Sequence, residues 1–418
     1  MIMTRYVVFS TILALGTLFS SVAEQFDLEV YASKFDSIPI GVLDFTQKGG
    51  GRLSDKELPG DIIAGDLDFC GRFMVVKRPS FDSAAFVDSG VGIYIDGEYT
   101  VSGNKVTIEC FLRDAATREL IIGKKYKGEM KFLRSMAHRY SNEIVEMLFG
   151  DRGIFESRML FVRTANRKKN IAIMDFDGFN QVSLTNNDLV NVFPVFGDKS
   201  TVIWTSYQKG NPDLFRGSIY SGASKIFVQS KGIESSADVS PIDGAVAYAS
   251  SKKGNLDIYV CNPDASNTRQ LTVHYGVDTS PSWSPNGYRM AFTSDRSGNP
   301  QIYVMDADGA NQKRITFHSK YADSPAWSPK GDRVAYMSMN ENGKFDIWMI
   351  SPDGTDPVQV STIPGQNEYP TWSPDGTLLA FVNAQGGRSD LYVMKPNGSR
   401  VRRITNTGDA IMPDWSDF

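Results

Sequence analysis

The stretch SWSPNGYRMAFTSDRSGNPQIYVMDADG, residues 282–309, decides the fold because it is one copy of a repeat. It returns as AWSPKGDRVAYMSMNENGKFDIWMISPDG at residues 326–354 and as TWSPDGTLLAFVNAQGGRSDLYVMKPNG at residues 371–398. The aligned tryptophans, which are 44 and 45 residues apart, are Trp283, Trp327 and Trp372. Self-similarity at this period is typical of proteins that are built from one structural unit used several times.

Two further copies precede these three at the same spacing, with Val239 and Val195 at the tryptophan position. A sixth copy is divided between two places in the chain. Residues 157–178 match the second half of the unit, and MPDWSDF at residues 412–418 matches its missing first half. The chain therefore carries five full copies and one split copy.

Each copy contains signals for four short strands. Ser-Pro-x-Gly after the tryptophan predicts a tight turn, because Pro presets φ and Gly accepts a positive φ. Runs such as MAF and QIYVM predict buried strands, and Asp-Gly or Asn-Gly pairs predict a hairpin into a last strand. Four strands in 40 to 45 residues define a β-propeller blade. We therefore predict a six-bladed β-propeller over residues 156–418, closed by pairing of the C-terminal strand with the first blade.

Residues 24–155 lack this repeat and predict a small α/β (α+β) domain. SIPIGVLDF at residues 37–45 and RFMVVK at 72–77 indicate strands, and residues 91–127 indicate a meander. The clearest helix lies within residues 129–150, where apolar residues form one stripe and Gly150 ends the pattern. His138 lies on this helix, and we interpret it as a structural histidine and not as a metal ligand.

The N-terminus predicts export. Arg5 precedes an apolar run over residues 6–19, and Ser21 and Ala23 provide the small residues of a cleavage site. This pattern is typical of a secretory signal peptide, residues 1–23, cut after Ala23; the alternative is an uncleaved membrane anchor. No later segment approaches the ~18 apolar residues of a membrane span, so we expect a soluble, periplasmic mature chain.

Charge and cysteine content exclude some classes of protein. The net charge is −4, which gives no reason to expect a nucleic-acid partner. The three cysteines, Cys70, Cys110 and Cys261, are widely spaced among apolar neighbours and predict buried thiols, not a disulfide framework or a metal site.

A search for catalytic chemistry finds no nucleophile elbow, no His-Glu-x-x-His and no phosphate loop. The chain has only three histidines, which argues against an enzyme or a metalloprotein, and we expect no cofactor and no metal. An aspartate recurs at the start of the third strand, and we interpret it as a hydrogen-bonding device within each blade. Its positions are Asp213, Asp257, Asp346 and Asp390.

The loops between blades are the candidate binding site, because each joins the last strand of one blade to the first strand of the next at one mouth of the channel. Their sequences vary, but they repeatedly carry an acid, and two begin with a histidine. The candidate residues are His274, Asp278, His318, Asp323, Glu368 and Asp409. An acidic mouth would suit a partner that presents Lys or Arg; the alternative is solvated loop charge.

A second candidate lies before the α/β domain. Phe26, Leu28 and Val30 alternate with acidic or polar residues. This pattern suits a segment that pairs with a partner's sheet, and it suits an ordinary first strand of the domain equally well.

Together these features resemble the TolB family, the periplasmic component of the Tol–Pal system of Gram-negative bacteria. The resemblance rests on the export signal, IPIGVLDF, the linker ESRMLFV, the repeated WSPDG-like turns and the ending MPDWSDF. It covers essentially the whole chain. The WSPDG repeat alone is weakly specific, because propellers of peptidases share it; the combination is strongly specific.

The resemblance implies a non-enzymatic, monomeric scaffold that serves outer-membrane integrity and constriction at cell division. It implies that the lipoprotein Pal binds the propeller mouth, at the six loop residues given above. It also implies that TolA of the inner membrane binds the mature N-terminus, here Phe26, Leu28, Val30 and Tyr31, and it leaves room for other envelope proteins. The alternatives are a propeller hydrolase or peptidase-accessory domain, and a binder of a small ligand or ion in the channel.

Overall fold

The computed structural model describes residues 37–51, 53–54, 57–165 and 168–416. The predicted signal peptide and the N-terminal segment with Phe26, Leu28, Val30 and Tyr31 lie outside these residues. Residues 37–149 form an α/β domain and residues 158–415 form a propeller, and both belong to one compact unit, Ser37–Phe418. In the part of the chain that is described, no helix is long and apolar enough to cross a membrane.

The α/β domain is a six-stranded mixed sheet with two long helices and one short helix. In chain order it contains β1 (Ile38–Leu43), β2 (Thr46–Gly49), α1 (Pro59–Phe69), β3 (Phe73–Arg78), α2 (Ser83–Asp88), β4 (Ile93–Ser102), β5 (Lys105–Asp114), β6 (Leu120–Glu129), a 3₁₀ turn (Met130–Phe132) and α3 (Leu133–Phe149). The strand order is β3-β1-β4-β5-β6, and β2 pairs with β4. Strands β3, β1 and β4 run parallel, whereas β4, β5 and β6 are antiparallel.

The sequence signals of this domain are confirmed. Gly150 ends α3 with φ 74°, as its position after the apolar stripe predicts. A second long helix, α1, begins at Pro59, where the missing N–H costs nothing. Ile63 of α1 and Tyr140 of α3 are fully buried in the core that both helices form on the sheet. Strand β2 and the short helix α2 were not predicted from the sequence. Asp82 caps α2 by accepting a hydrogen bond from the Ala85 N–H at 3.1 Å.

The propeller consists of six four-stranded sheets. Five of these sheets are continuous in sequence. The blade after the split one contains β10 (Asn191–Asp198), β11 (Thr201–Ser206), β12 (Asp213–Ser218) and β13 (Ser224–Val228), and the next contains β14 (Glu234–Val239), β15 (Val246–Ser250), β16 (Asp257–Cys261) and β17 (Arg269–Gln270). The last three contain β18 (Asp278–Trp283), β19 (Arg289–Ser294), β20 (Gln301–Asp306) and β21 (Lys313–Arg314); β22 (Ala322–Trp327), β23 (Val334–Met339), β24 (Phe345–Ile350) and β25 (Val358–Gln359); and β26 (Gln366–Trp372), β27 (Leu379–Gln385), β28 (Arg388–Met394) and β29 (Arg402–Arg403). The strands within each sheet are antiparallel.

The sixth blade closes the ring as the split repeat predicts. It combines β30 (Ala410–Trp415) with β7 (Arg158–Ala165), β8 (Lys168–Asp175) and β9 (Val182–Ser183) in the order β30-β7-β8-β9. Trp415 pairs with Met159, and its indole Nε1–H donates to Ser157 Oγ at 2.8 Å. The pairing spans more than 250 residues of sequence and leaves neither end of the propeller as a free blade edge.

The α/β domain packs against the propeller through aromatic rings and arginine–carboxylate pairs. The rings of Phe69 and Phe176 meet edge to face, with 4.9 Å between centroids. Arginine–carboxylate ion pairs also join the α/β domain to the propeller: Arg72 with Asp375, Arg134 with Asp177, and Arg402 with Asp68. Apart from Arg402, which lies on the fourth strand β29, the propeller residues in these contacts lie in the turns from first to second strand or from third to fourth strand. The domain therefore covers part of this side of the propeller, which we call the turn face.

Candidate functional site

The opposite side of the propeller carries the candidate site, and we call it the loop face. It is made by the loops from the last strand of one blade to the first strand of the next, together with the loops between second and third strands. Hydrogen bonds link these two kinds of loop. Asn255 Nδ2 donates to the carbonyl oxygens of His274 and Gly276 at 2.8 and 2.5 Å, and the Tyr275 hydroxyl donates to the Arg296 carbonyl at 3.2 Å.

The recurring third-strand aspartates hold these loops in place, which confirms their structural interpretation. The carboxylate of Asp390 accepts hydrogen bonds from Arg403 at 2.6 Å, Thr405 at 2.9 Å and the Gly408 N–H at 3.0 Å. Asp257 accepts from Gln270 and from the His274 N–H in the same way. Asp257 and Asp390 thus tie the third strand to the fourth strand and to the loop that follows, whereas Asp213 accepts from Gln229 in the loop alone.

The four acids of the proposed mouth do not form a ring at one level. Counted back from the aromatic residue that ends each first strand, Asp278 is at position five, Asp323 and Glu368 are at position four, and Asp409 is at position six. They therefore occupy three different levels along the channel.

Asp278 is fully buried, and Arg296 Nη2 contacts it at 2.6 Å. Its charge is neutralised inside the fold and is not displayed at the surface. This pair was not predicted from the sequence, because Asp278 begins the first strand and Arg296 lies 18 residues later, in the loop between the second and third strands.

Asp323, Glu368 and Asp409 are partly exposed. Asp323 accepts hydrogen bonds from Thr293 at 2.8 Å and from the Ser324 N–H at 2.6 Å, and burial raises the pKa of its carboxyl. Burial also raises the pKa of Glu368. Asp409 lies 3.7 Å from Arg163 Nε.

The two histidines lie on the loop face at equivalent positions, 44 residues apart. His274 is partly buried, and its Nδ1 accepts a hydrogen bond from the Gly276 N–H at 3.0 Å. His318 is exposed, its ring stacks on Trp348 at 4.2 Å, and burial against this neighbour and others lowers its pKa. Both histidines are thus fixed by their surroundings while part of each ring stays accessible.

Sequence reasoning missed the large apolar side chains that this face exposes. Tyr275 is 84 %, Val273 81 % and Phe317 69 % exposed. Val273 and Phe317 occupy a position at which other blades have polar residues such as Gln229 and Thr362. This difference between the repeats could have identified the two residues from the sequence. Exposed apolar side chains grouped on one face mark an interaction surface.

The channel itself contains a cavity of about 540 Å³ lined by the six first strands. At the third residue before the tryptophan position, all six first strands have a non-glycine residue with φ between 50° and 54°. These residues are Phe193, Ser236, Ser280, Ser324, Tyr369 and Met412. Each lies at a bulge in the pairing with the second strand, and the three serines occupy one half of the ring. In β10 the structure places Phe196 at the tryptophan position, and not Val195 as the 44-residue spacing indicated.

One cluster in the described part of the chain has the composition of a metal site: Asp66, His138 and Asp177. His138 is buried and hydrogen-bonded to Asp66, whereas Asp177 forms an ion pair with Arg134. The adjacent guanidinium already supplies the positive charge that a metal would bring. This arrangement fits the structural role that we predicted for His138.

The fold defines a class: β-propeller proteins with an appended α/β domain, in which the loops of one face form the candidate binding surface. Comparison with known proteins gives the family. The model of the TolB beta propeller domain matches residues 145–418, and the chain belongs to the TolB family.

Individual relatives agree with this assignment. The chain is similar to the Tol-Pal system protein TolB of Desulfosudis oleivorans, with 33% identity over 222 residues, 47% of this chain and 51% of that protein. It is similar to the Tol-Pal system protein TolB of Geobacter sulfurreducens, with 36% identity over 207 residues, 45% of this chain and 48% of that protein. The chain spans about half the length of the curated relatives it matches.

A solved structure supports the fold over a longer range. TolB from Acinetobacter baumannii superposes with a TM-score of 0.78 at 21% identity, covering 91% of this chain and 96% of that one. At this identity the likeness concerns the architecture, which includes both the α/β domain and the propeller.

Proposed function

We propose that this protein is a non-enzymatic scaffold of the Tol–Pal system in the periplasm. The observation that carries the proposal is the match of the whole propeller to the TolB beta propeller domain. In this role the loop face binds Pal, and the segment with Phe26, Leu28, Val30 and Tyr31 binds TolA. The protein thereby links the outer membrane to the inner-membrane Tol proteins during constriction and keeps the envelope intact.

The exposed apolar residues of the loop face support a protein partner for this surface. Aromatic side chains bury a large area on binding, and interface energy concentrates in such residues. In this proposal His274, His318, Asp323, Glu368 and Asp409 supply polar contacts elsewhere on the loop face. Asp278 is buried below this surface and supports its loop through the ion pair with Arg296.

Binding of the periplasmic domain of Pal, measured by calorimetry, tests the loop-face assignment. We expect Tyr275→Ser with Phe317→Ser to weaken binding at least about tenfold, as loss of interface anchors does. The matched control is Tyr220→Ser with Tyr288→Ser, two aromatics of the turn face that are 74 % and 75 % exposed. If both double variants bind Pal with the affinity of the unaltered protein, the assignment of the Pal site to the loop face is wrong. If the unaltered protein does not bind Pal at all, the proposed function is wrong.

Co-purification from envelopes, with and without residues 24–33, tests the second contact. We expect the shortened protein to retain Pal and to lose TolA, because the two contacts lie on different parts of the chain. If TolA stays attached to the shortened protein, the assignment of the N-terminal segment is wrong.

A second candidate function is the binding of a small ligand or ion in the channel, which the cavity of about 540 Å³ favours. A thermal-shift series with divalent cations and small polar compounds tests it. A ligand that raises the melting temperature should lose its effect when Ser280→Gly removes a hydroxyl from the cavity wall.

A further inference from the structure

The exposed charges on one part of the loop face are basic, although the loops carry acids in sequence. This part belongs to the blades β14–β17 and β18–β21 and comprises residues 229–233, 251–256, 271–277, 295–300 and 315–321. Its exposed charged side chains are Lys231, Lys252, Lys253 and Lys320. Asp295, the acid in these segments, accepts the Val277 N–H at 2.6 Å and is partly buried. The partner's surface opposite this region should therefore be acidic.

A depression in this region has polar walls, in which Asn255 and Tyr275 donate hydrogen bonds to carbonyl groups of the protein. It lies between Lys253, Asn255, Gln270, His274 and Tyr275, with Asp257 in its wall. The carboxylate of Asp257 is occupied by Gln270 at 2.9 Å and by the His274 N–H at 3.3 Å. The acid in the wall is thus engaged within the blade, whereas the Lys253 ammonium is exposed.

The tautomer of His274 adds a second donor. The Gly276 N–H points at Nδ1, so Nδ1 holds a lone pair and the ring hydrogen of the neutral imidazole is on Nε2. Asn255 holds both flanking carbonyls of this loop, which limits rotation of the backbone around the ring. A carboxylate can accept one hydrogen bond from such a fixed N–H and another from the neighbouring ammonium group, and hydrogen bonds of this charge-assisted kind are strong.

We propose that the depression between Lys253 and His274 binds an acidic side chain of the protein partner, beside the exposed Val273 and Tyr275. The inference rests on the proposed function, because it names the chemistry of the partner at that same face. It replaces the expectation of a partner that presents Lys or Arg to an acidic mouth. The partner segment should combine a carboxylate with an adjacent apolar side chain.

The repeat supplies a matched control. Lys209 is exposed and stands 44 residues before Lys253, in the same loop of the preceding blade. In that blade Ser230 takes the place of His274 and Lys231 the place of Tyr275. Lys209 therefore has the same charge and loop position without the imidazole donor.

The experiment is titration of the full chain with the periplasmic domain of Pal at low and moderate salt. We expect Lys253→Glu to weaken binding at least about tenfold, His274→Gln to weaken it less, and Lys209→Glu to change it less than about threefold. Lys253→Glu should also reduce the dependence of affinity on salt. Circular dichroism of each variant confirms that the propeller is folded.

Two results overturn the inference while leaving the proposed function in place. One is Pal binding that Lys253→Glu leaves unchanged. The other is equal weakening by Lys253→Glu and Lys209→Glu, which would mean general attraction and no specific acid-binding depression. Absence of Pal binding by the unaltered chain is a different outcome, and it overturns the proposed function and the inference together.

Discussion

His138 Nδ1 lies 2.9 Å from Asp66 Oδ2, and both residues are buried where the α/β domain meets the propeller. Ser141 Oγ donates to the same carboxylate oxygen at 2.7 Å. The imidazole ring also meets the ring of Phe176, a propeller residue, at 5.3 Å. The pair thus joins helices α1 and α3 at the point where α3 contacts the propeller.

Removal of the histidine should strongly destabilise the protein. We expect His138→Ala to lower the free energy of unfolding by about 3–5 kcal/mol, because it leaves the buried Asp66 carboxylate without its main partner. Urea denaturation at pH 6 measures this loss. In a double-mutant cycle, Asp66→Asn should cost much less in the His138→Ala background than in the unaltered protein. Additive costs would contradict an interaction between the two side chains.

The same pair should make stability depend on pH. Burial lowers the pKa of His138, but the hydrogen bond and charge of Asp66 and the charge of Asp177 outweigh burial and raise it above its ordinary value, against the opposing charge of Arg134. The stabilisation is therefore complete below the unfolded pKa of about 6.5 and is lost as pH rises through the folded value. Burial raises the pKa of Asp66, which acts in the same direction.

Thermal unfolding between pH 6 and pH 9 checks this sign. The melting temperature of the unaltered protein should fall more steeply over this range than that of His138→Gln, whose side chain does not titrate. Parallel curves would show that the histidine stays neutral in the folded protein.

The Asp278–Arg296 pair provides the next prediction. Arg296→Met should cost about 3–5 kcal/mol, since it leaves a buried carboxylate without a counter-ion. Asp278→Asn in the same chain should restore much of the loss, because it removes the buried charge. Lys252, the equivalent of Arg296 one blade earlier, is exposed, and the buried Glu234 carboxylate that interacts with it accepts hydrogen bonds from Ser230 and Ser250. Lys252→Met should therefore cost much less than Arg296→Met. Guanidinium chloride denaturation of the four proteins compares these costs.

Most of the fold could be predicted because the signals that specify it are local and repeated. The Ser-Pro-x-Gly turns and the buried strands that follow Trp283, Trp327 and Trp372 recur at one spacing, so the copies reinforce one another. The split copy predicts ring closure for the same reason. The short α2 was missed because its six residues include one buried side chain, Phe86, which is too few for a periodic pattern.

The site was harder to predict, because loop exposure depends on contacts that the repeat does not encode. Asp278 and Asp323 both appear as loop acids in sequence, yet Arg296 neutralises one and Thr293 binds the other. The exposed Tyr275 has no equivalent aromatic in the neighbouring blades, so no pattern indicates it. Asp278 and Asp323 also differ by one position relative to the tryptophan of their strand, and a one-residue shift turns a strand side chain to the opposite face.

A buried indole reinforces the strand pairing that closes the ring, and its removal is the fourth prediction. Trp415 is 5 % exposed and donates to Ser157 across the junction between the C-terminal strand and the first blade. Trp415→Ala should lower the free energy of unfolding by about 3–5 kcal/mol, as deletion of a large core side chain does. Tyr220→Ala, at a position that is 74 % exposed, serves as the control and should cost little. Similar costs for both variants would mean that closure does not stabilise the ring.

The bulge on each first strand leads to the last prediction. Ser280 has φ 50°, a conformation in which a side chain with Cβ is strained and a β-branched one is strained further. Ser280→Val should therefore destabilise the protein by about 1–3 kcal/mol, whereas Ser280→Gly should be neutral or stabilising. Thr279→Val places the same side chain on the adjacent residue of β18, outside the positive-φ position, and should cost less than Ser280→Val. Thermal and urea unfolding give the ranking, and an equal cost for both valine variants would contradict backbone strain at the bulge.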